Sequence, residues 1–189
     1  MRWQERLDRV EALLGDVEQQ AEGLALVARD AEVAELRRAE YAQVDLLGRL
    51  HGSSGRRLAV ELAGTDPLEA VLTRVGADWC LLEAGGREWV VRLAAVRSWR
   101  GLADQVVPAA ARPLTARLGL GSALRGLAEA RAETVLHRTD AVTRRGRLLR
   151  VGADFVEVLA GGEGGDGTEG RGGAVEVVPF AALAAVRST

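Results

Sequence analysis

Apolar positions in the first part of the chain step at helical spacing. Trp3, Leu7, Val10, Leu14, Val17, Ala21, Leu24, Ala28 and Ala31 alternate by four and three with no proline among them, which keeps one seam facing a partner helix. The pattern predicts a long helix or helical hairpin over residues 2–50, a coiled coil being one outcome. Self-association or docking to a protein partner would then run through residues 1–50, with Trp3, Leu7, Val10, Leu14, Val17 and Leu24 as the helix interface. Packing of the same stripe against the chain's own body is the equal alternative. After Ala31 the stripe shifts to Val33, Leu36, Val44 and Leu47, and Gly15 and Gly23 each cost about 1 kcal/mol relative to alanine in a helix interior, so a bend near Gly23 is expected. His51-Gly52-Ser53-Ser54-Gly55 ends the helical pattern.

From Leu58 the period falls to two. Leu58, Val60 and Leu62 alternate with Ala59 and Glu61, and Gly64-Thr65-Asp66-Pro67 turns the chain. Further strands are read at Val71–Val75, Trp79–Glu83 and Trp89–Arg92, with turns at Gly76-Ala77-Asp78 and Gly85-Gly86 and a closing run Leu93–Ser98. So many short strands in so little chain imply a small barrel, because only a sheet curled on itself can bury their apolar faces. Residues 103–121, with Pro108 and Pro113, read as a linker, and Ser122 as the N-cap of a helix at Ala123–Arg131. The strand pattern then returns. Arg74-Val75-Gly76-Ala77-Asp78 recurs as Arg150-Val151-Gly152-Ala153-Asp154, and Leu-Ala-Ala-Val-Arg-Ser stands at both 93–98 and 183–188. One unit is therefore present twice, the second interrupted by a glycine-rich insertion at 161–173 that is expected to be a mobile hairpin tip.

The second copy reads Gly146-x-Leu148-x-x-Val151-Gly152-x-Asp154-x-Val156, then Val175-x-Val177-x-Pro179-Phe180, then Leu183-Ala-Ala-Val186. It resembles an Sm-like small β-barrel, in which a short helix precedes five bent strands. The resemblance covers residues 47–102 and 123–188, and over its length the chain resembles proteins of GC-rich bacteria. It implies an α+β fold: an N-terminal long helix or helical hairpin at 1–51, a first five-stranded barrel at 52–102, a linker at 103–121 and a second barrel at 122–189, each barrel preceded by a short helix. Ala70 stands where the second copy has Gly146, which implies a less bent first unit. RNA-binding Sm proteins carry an asparagine after the central turn, whereas this chain contains no asparagine, so that pocket is not carried over.

Composition narrows the chemistry. All 25 basic residues of the 189 are arginine, beside abundant alanine and glycine, the signature of a GC-rich, bacterial coding sequence. The charge divides: residues 1–54 hold 7 arginines against 11 acids, the remainder 18 against 16, a near balance that argues against a general polyanion binder. One cysteine excludes an internal disulfide and fits a reducing, cytoplasmic compartment, and no signal peptide or membrane span is read. With Cys80, His51 and His137 as the only soft ligands, no metal or cofactor is expected. The absence of lysine excludes a phosphate-binding loop of the Gly-x-x-x-x-Gly-Lys type. Gly161 to Asp166 matches half of one calcium-binding nonapeptide, which functions only in stacked arrays. Asp78 and Asp154 read as hairpin corners bonding nearby amides, and Cys80 as a buried structural thiol. Arg138, Arg144, Arg145, Arg147 and Arg150 form the one concentrated charge, a candidate contact for nucleic acid or a partner. The functional expectation is a non-enzymatic interaction or scaffold protein; the alternative is a nucleic-acid-binding regulator using that arginine face.

Overall fold

The computed structural model describes residues 29–160 and 174–189. The chain divides into two units, Met1–Val44 and Asp45–Thr189. In the first, residues 29–41 form helix α1, exposed along its whole length, with Val33 and Leu36 at 45% and 59% accessibility. The helix expected to run on to residue 50 is interrupted. A turn at 42–43 ends α1, and Asp45 starts a separate helix, α2 (Leu46–Gly52), by accepting a hydrogen bond from the Gly48 amide at 2.6 Å. The described residues contain neither a long helix nor a coiled coil, and Val33 and Leu36 of the shifted stripe are exposed on α1. Trp3, Leu7, Val10, Leu14, Val17 and Leu24 lie outside the described residues, as does the insertion at 161–173.

The second unit corrects the expectation of two separate barrels. Residues 52–102 supply β1 (Arg57–Leu62), β2 (Leu68–Val75), β3 (Trp79–Ala84), β4 (Arg87–Arg92) and β5 (Val96–Arg100); after helix α3 (Leu120–Glu129) come β6 (Glu133–Arg138), β7 (Thr143–Val151), β8 (Phe155–Ala160), β9 (Val175–Pro179) and β10 (Leu183–Ser188). All ten form one antiparallel sheet in the order β5-β1-β2-β3-β4-β10-β6-β7-β8-β9. The two halves repeat the same internal order, and they are joined edge to edge where β4 pairs with β10.

Side chains on that seam show why the halves do not close separately. Trp89 and Val91 of β4 and Ala185 of β10 belong to a core with Leu50, Leu58, Val60, Leu72 and Leu82. Val90 and Val186 belong to a second core with Leu124, Leu136, Leu148, Val156 and Leu183. Because neighbouring residues of a strand point to opposite faces, the two cores lie on opposite faces of one sheet and the seam strands serve both. The unbroken runs Trp89-Val90-Val91 and Leu183 to Val186 follow from this, being buried on both sides. Bulges at Glu61/Leu62, Leu72/Arg74, Leu148/Arg150 and Leu183/Ala185 bend the strands around each core.

The repeated corner has a packing cause. A Cβ on Gly76 would lie 2.1 Å from Trp79 Nε1, and one on Gly152 2.4 Å from the Phe155 ring, so in each half an aromatic ring lies over the glycine. The second repeated phrase behaves differently. Leu93–Ala95 is a 3₁₀ turn leading into β5, whereas Leu183–Ser188 is strand throughout and the matching turn is Phe180–Ala182. Leu93 donates to the Asp78 carbonyl at 2.9 Å and Phe180 to the Asp154 carbonyl at 2.7 Å, which fixes Leu93 and Phe180 as counterparts.

Residues 103–121 are strapped down rather than free. Arg49 Nε and Nη2 donate to the Ala103 carbonyl at 3.1 and 3.0 Å, Ser53 Oγ accepts from the Ala103 amide at 2.9 Å, and Arg112 pairs with Asp45. That ion pair holds the Asp45 carboxyl below its ordinary range, first through the Arg112 hydrogen bond and then through the Gly48 amide.

At the Ala70 position of the second half, a Cβ on Gly146 would stand 2.3 Å from the Leu159 carbonyl oxygen. Gly146→Ala is expected to cost about 1–3 kcal/mol in urea unfolding, although the first half carries alanine at its counterpart. Loss of less than the experimental error would show that β7 and β8 separate freely there.

Candidate interaction site

The arginine cluster is divided by the alternation of β7. Arg138 donates to Asp140 at 2.7 Å and to Glu176 at 3.4 Å, and Arg144 meets the same Glu176 at 3.4 Å. Arg147 meets Glu133 at 3.3 Å and Arg150 meets Glu157 at 2.7 Å. Arg138 and Arg144 are thus brought together, Arg147 and Arg150 go to different acids, and Arg145 is exposed with no ion pair among the described residues. Such exposed pairs stabilise by about 0–1 kcal/mol at most, and their main consequence here is that acids offset the charge that a phosphate backbone would use.

The corner aspartates differ from each other. Asp78 Oδ1 accepts from the Leu120 amide at 2.6 Å, across 42 residues, at the start of α3. Since the N-cap of α3 is Gly119 with no side chain to offer, Asp78 of the first half caps the helix of the second. Trp79 Nε1 and the Ala77 amide also reach the Leu118 carbonyl, at 2.8 and 3.0 Å. Asp78 therefore bonds a distant amide and not the nearby ones its turn suggested. Asp154, its counterpart, is exposed, and no described residue bonds its carboxylate.

The outer edges of the sheet are β9 and β5. Counting back three residues from the paired Leu93 and Phe180 makes Val177 the counterpart of Val90. Val90 is 6% exposed, covered by the seam, whereas Val177 is 57% exposed and Val175 53%. The same correspondence, counted forward from Leu93 and Phe180, makes Trp99 of β5 the counterpart of Val186, the residue that pairs with Val90 across the seam. Among the described residues, each outer edge is therefore the unpaired version of one side of the internal joint. Sequence reading missed this site, although the alternation Val175-Glu176-Val177, against the run Trp89-Val90-Val91, carried the signal.

The remaining reactive groups are quiet. Cys80 is buried, which pushes its thiol well up, and burial lowers His51 and His137. No group of three or more metal-binding side chains occurs among the described residues, and none of their helices is long and apolar enough to cross a membrane. No protein-family model matches the chain, and no curated protein is significantly similar to it.

The asymmetry of the corners is measurable. Asp78→Ala removes the cap of α3 and is expected to cost about 0.5–2 kcal/mol in chemical denaturation, while Asp154→Ala leaves stability within about 0.5 kcal/mol of the parent. Equal losses would contradict the assignment of Asp78 as the cap.

Proposed function

We propose that the chain is a non-enzymatic interaction protein of the cytosol that joins copies of itself through the free edges of its sheet. The observation that carries this reading is Val177, 57% exposed at the position where Val90, 6% exposed, pairs with Val186 of β10 and packs in the second core. A strand laid along β9 would cover Val175 and Val177 and pair the backbone groups of that edge. The β5 edge of a second copy fits because β5 corresponds to β10, the strand already accepted at the seam. Such a joint is heterologous, one surface meeting a different one, so it builds rings or open chains and not a two-fold dimer. The acids beside Arg138, Arg144, Arg147 and Arg150 favour this reading over nucleic-acid recognition. A reducing compartment agrees with a single cysteine held inside the core.

Light scattering on the full chain over a range of concentrations tests the proposal. The expected mass exceeds the 20.1 kDa of one chain and rises with concentration, and Val177→Arg returns it to the monomer. A parent that stays monomeric throughout, or a Val177→Arg protein that assembles as the parent does, would overturn it.

A further inference from the structure

The repeated phrase places two arginines at the same point of the fold, and their surroundings differ. Arg150 follows the bulge in β7, stands opposite Glu157 and is bonded by its carboxylate at 2.7 Å. Arg74 follows the corresponding bulge in β2, but the residue opposite it is Leu81. Arg74 is exposed and makes no ion pair among the described residues.

A cleft of about 420 Å³ opens beside Arg74. The end of α2 and the turn after it give one wall, with His51 and Ser54; β2 gives Arg74; the strapped segment at 103–121 gives Thr115 and Leu118. Trp79 also lines it, and its bond to the Leu118 carbonyl at 2.8 Å ties that segment to the sheet. The corresponding cleft of the second half is lined by the end of α3 and by β7 alone, with no third wall.

The lining of the Arg74 cleft is one-sided in its chemistry. It carries no carboxylate. Ser54 and Thr115 are exposed, like Arg74, and neither hydroxyl is hydrogen-bonded among the described residues, so a ligand arriving from solvent reaches all three side chains. Burial first, and Arg112 second, hold His51 below its ordinary range, so its ring is neutral. The acids nearby are engaged: Asp45 by Arg112 and the Gly48 amide, Asp78 by the Leu120 amide. The carbonyls of Leu50 and His51 at the end of α2 accept from the Ser53 and Ser54 amides. Arg74 also borders an apolar cleft under α3 whose lining includes Glu88, two strands away on β4, and the two form no ion pair. A guanidinium fork beside two open hydroxyls, with no acid on the lining, suits the oxygens of an anion, and the volume suits a small molecule.

We propose that this cleft binds a small molecule through a phosphate or carboxylate group, with Arg74 pairing with its oxygens and Ser54 and Thr115 donating to them. No lining residue belongs to β5 or β9, so the site requires no assembly.

The test is a ¹H–¹⁵N titration of the full chain with sodium phosphate and, separately, sodium acetate, with sodium chloride at matched ionic strength as the control. The reporter is the Trp79 indole resonance, assigned by its loss in Trp79→Phe, which places at this corner the residue type of Phe155 at the other. It is expected to shift saturably with phosphate or acetate and to stay fixed in chloride, and the probe that saturates at lower concentration identifies the group. Arg74→Ala weakens binding about ten-fold or more and Thr115→Val about three-fold, the losses expected for a charged and a neutral hydrogen bond, while Arg150→Ala leaves it unchanged. An indole resonance that does not move, one that moves equally in chloride, unchanged affinity in the folded Arg74→Ala or Thr115→Val protein, or an equal loss in Arg150→Ala would overturn the proposal.

Discussion

The backbone pairing of β4 with β10 is the joint on which the rest of the second unit depends. It converts two similar halves into one sheet, and it places Val90 against Val186 and Val91 against Ala185 so that each seam strand contributes to two cores at once. Neither half could release these strands without opening both cores to water. Burial of apolar surface on both faces thus couples the halves more strongly than any single contact between them.

Polar contacts then set the angle of the joint. Arg92 reaches across it, Nε to the Leu183 carbonyl at 2.8 Å and Nη2 to the Ala181 carbonyl at 2.9 Å. Asp78 holds the start of α3, and the Gly64 turn wedges against Ala141 on the other side. These ties fall on different sides of the seam, so rotation that relaxed one would strain another. The strapped segment at 103–121 completes the fastening by anchoring the crossover between halves to α2 at one end and to Trp79 at the other.

Local structure was largely legible in the sequence, and the way the pieces join was not. The alternation of Leu58, Val60 and Leu62 gives β1 and its buried face directly, and Gly85-Gly86 gives the turn between β3 and β4, both residues having positive φ. The expected continuous helix ends at the turn at 42–43, and Asp45, whose short side chain caps a helix more readily than it continues one, starts the next. The two-barrel expectation failed for a subtler reason: five strands that curl around a core still leave two edges, and periodicity says nothing of whether those edges meet each other or a neighbour. The Arg138 to Arg150 cluster read as one face because spacing in the text ignores the bulge at Leu148/Arg150 and the acids supplied by β6, β8 and β9.

The phrase Leu-Ala-Ala-Val-Arg-Ser shows how far identity of letters can part from identity of place. In the first half it spends three residues on a turn before entering its strand; in the second it is strand from its first residue. An alignment of the halves that follows the letters is therefore three positions out of step with one that follows the backbone. Because side chains change face at every step along a strand, an odd displacement exchanges inside for outside. Matched by its letters, the phrase sets the exposed Ala94 against the fully buried Ala184, so a comparison of the halves by spelling misassigns the inside of the strand.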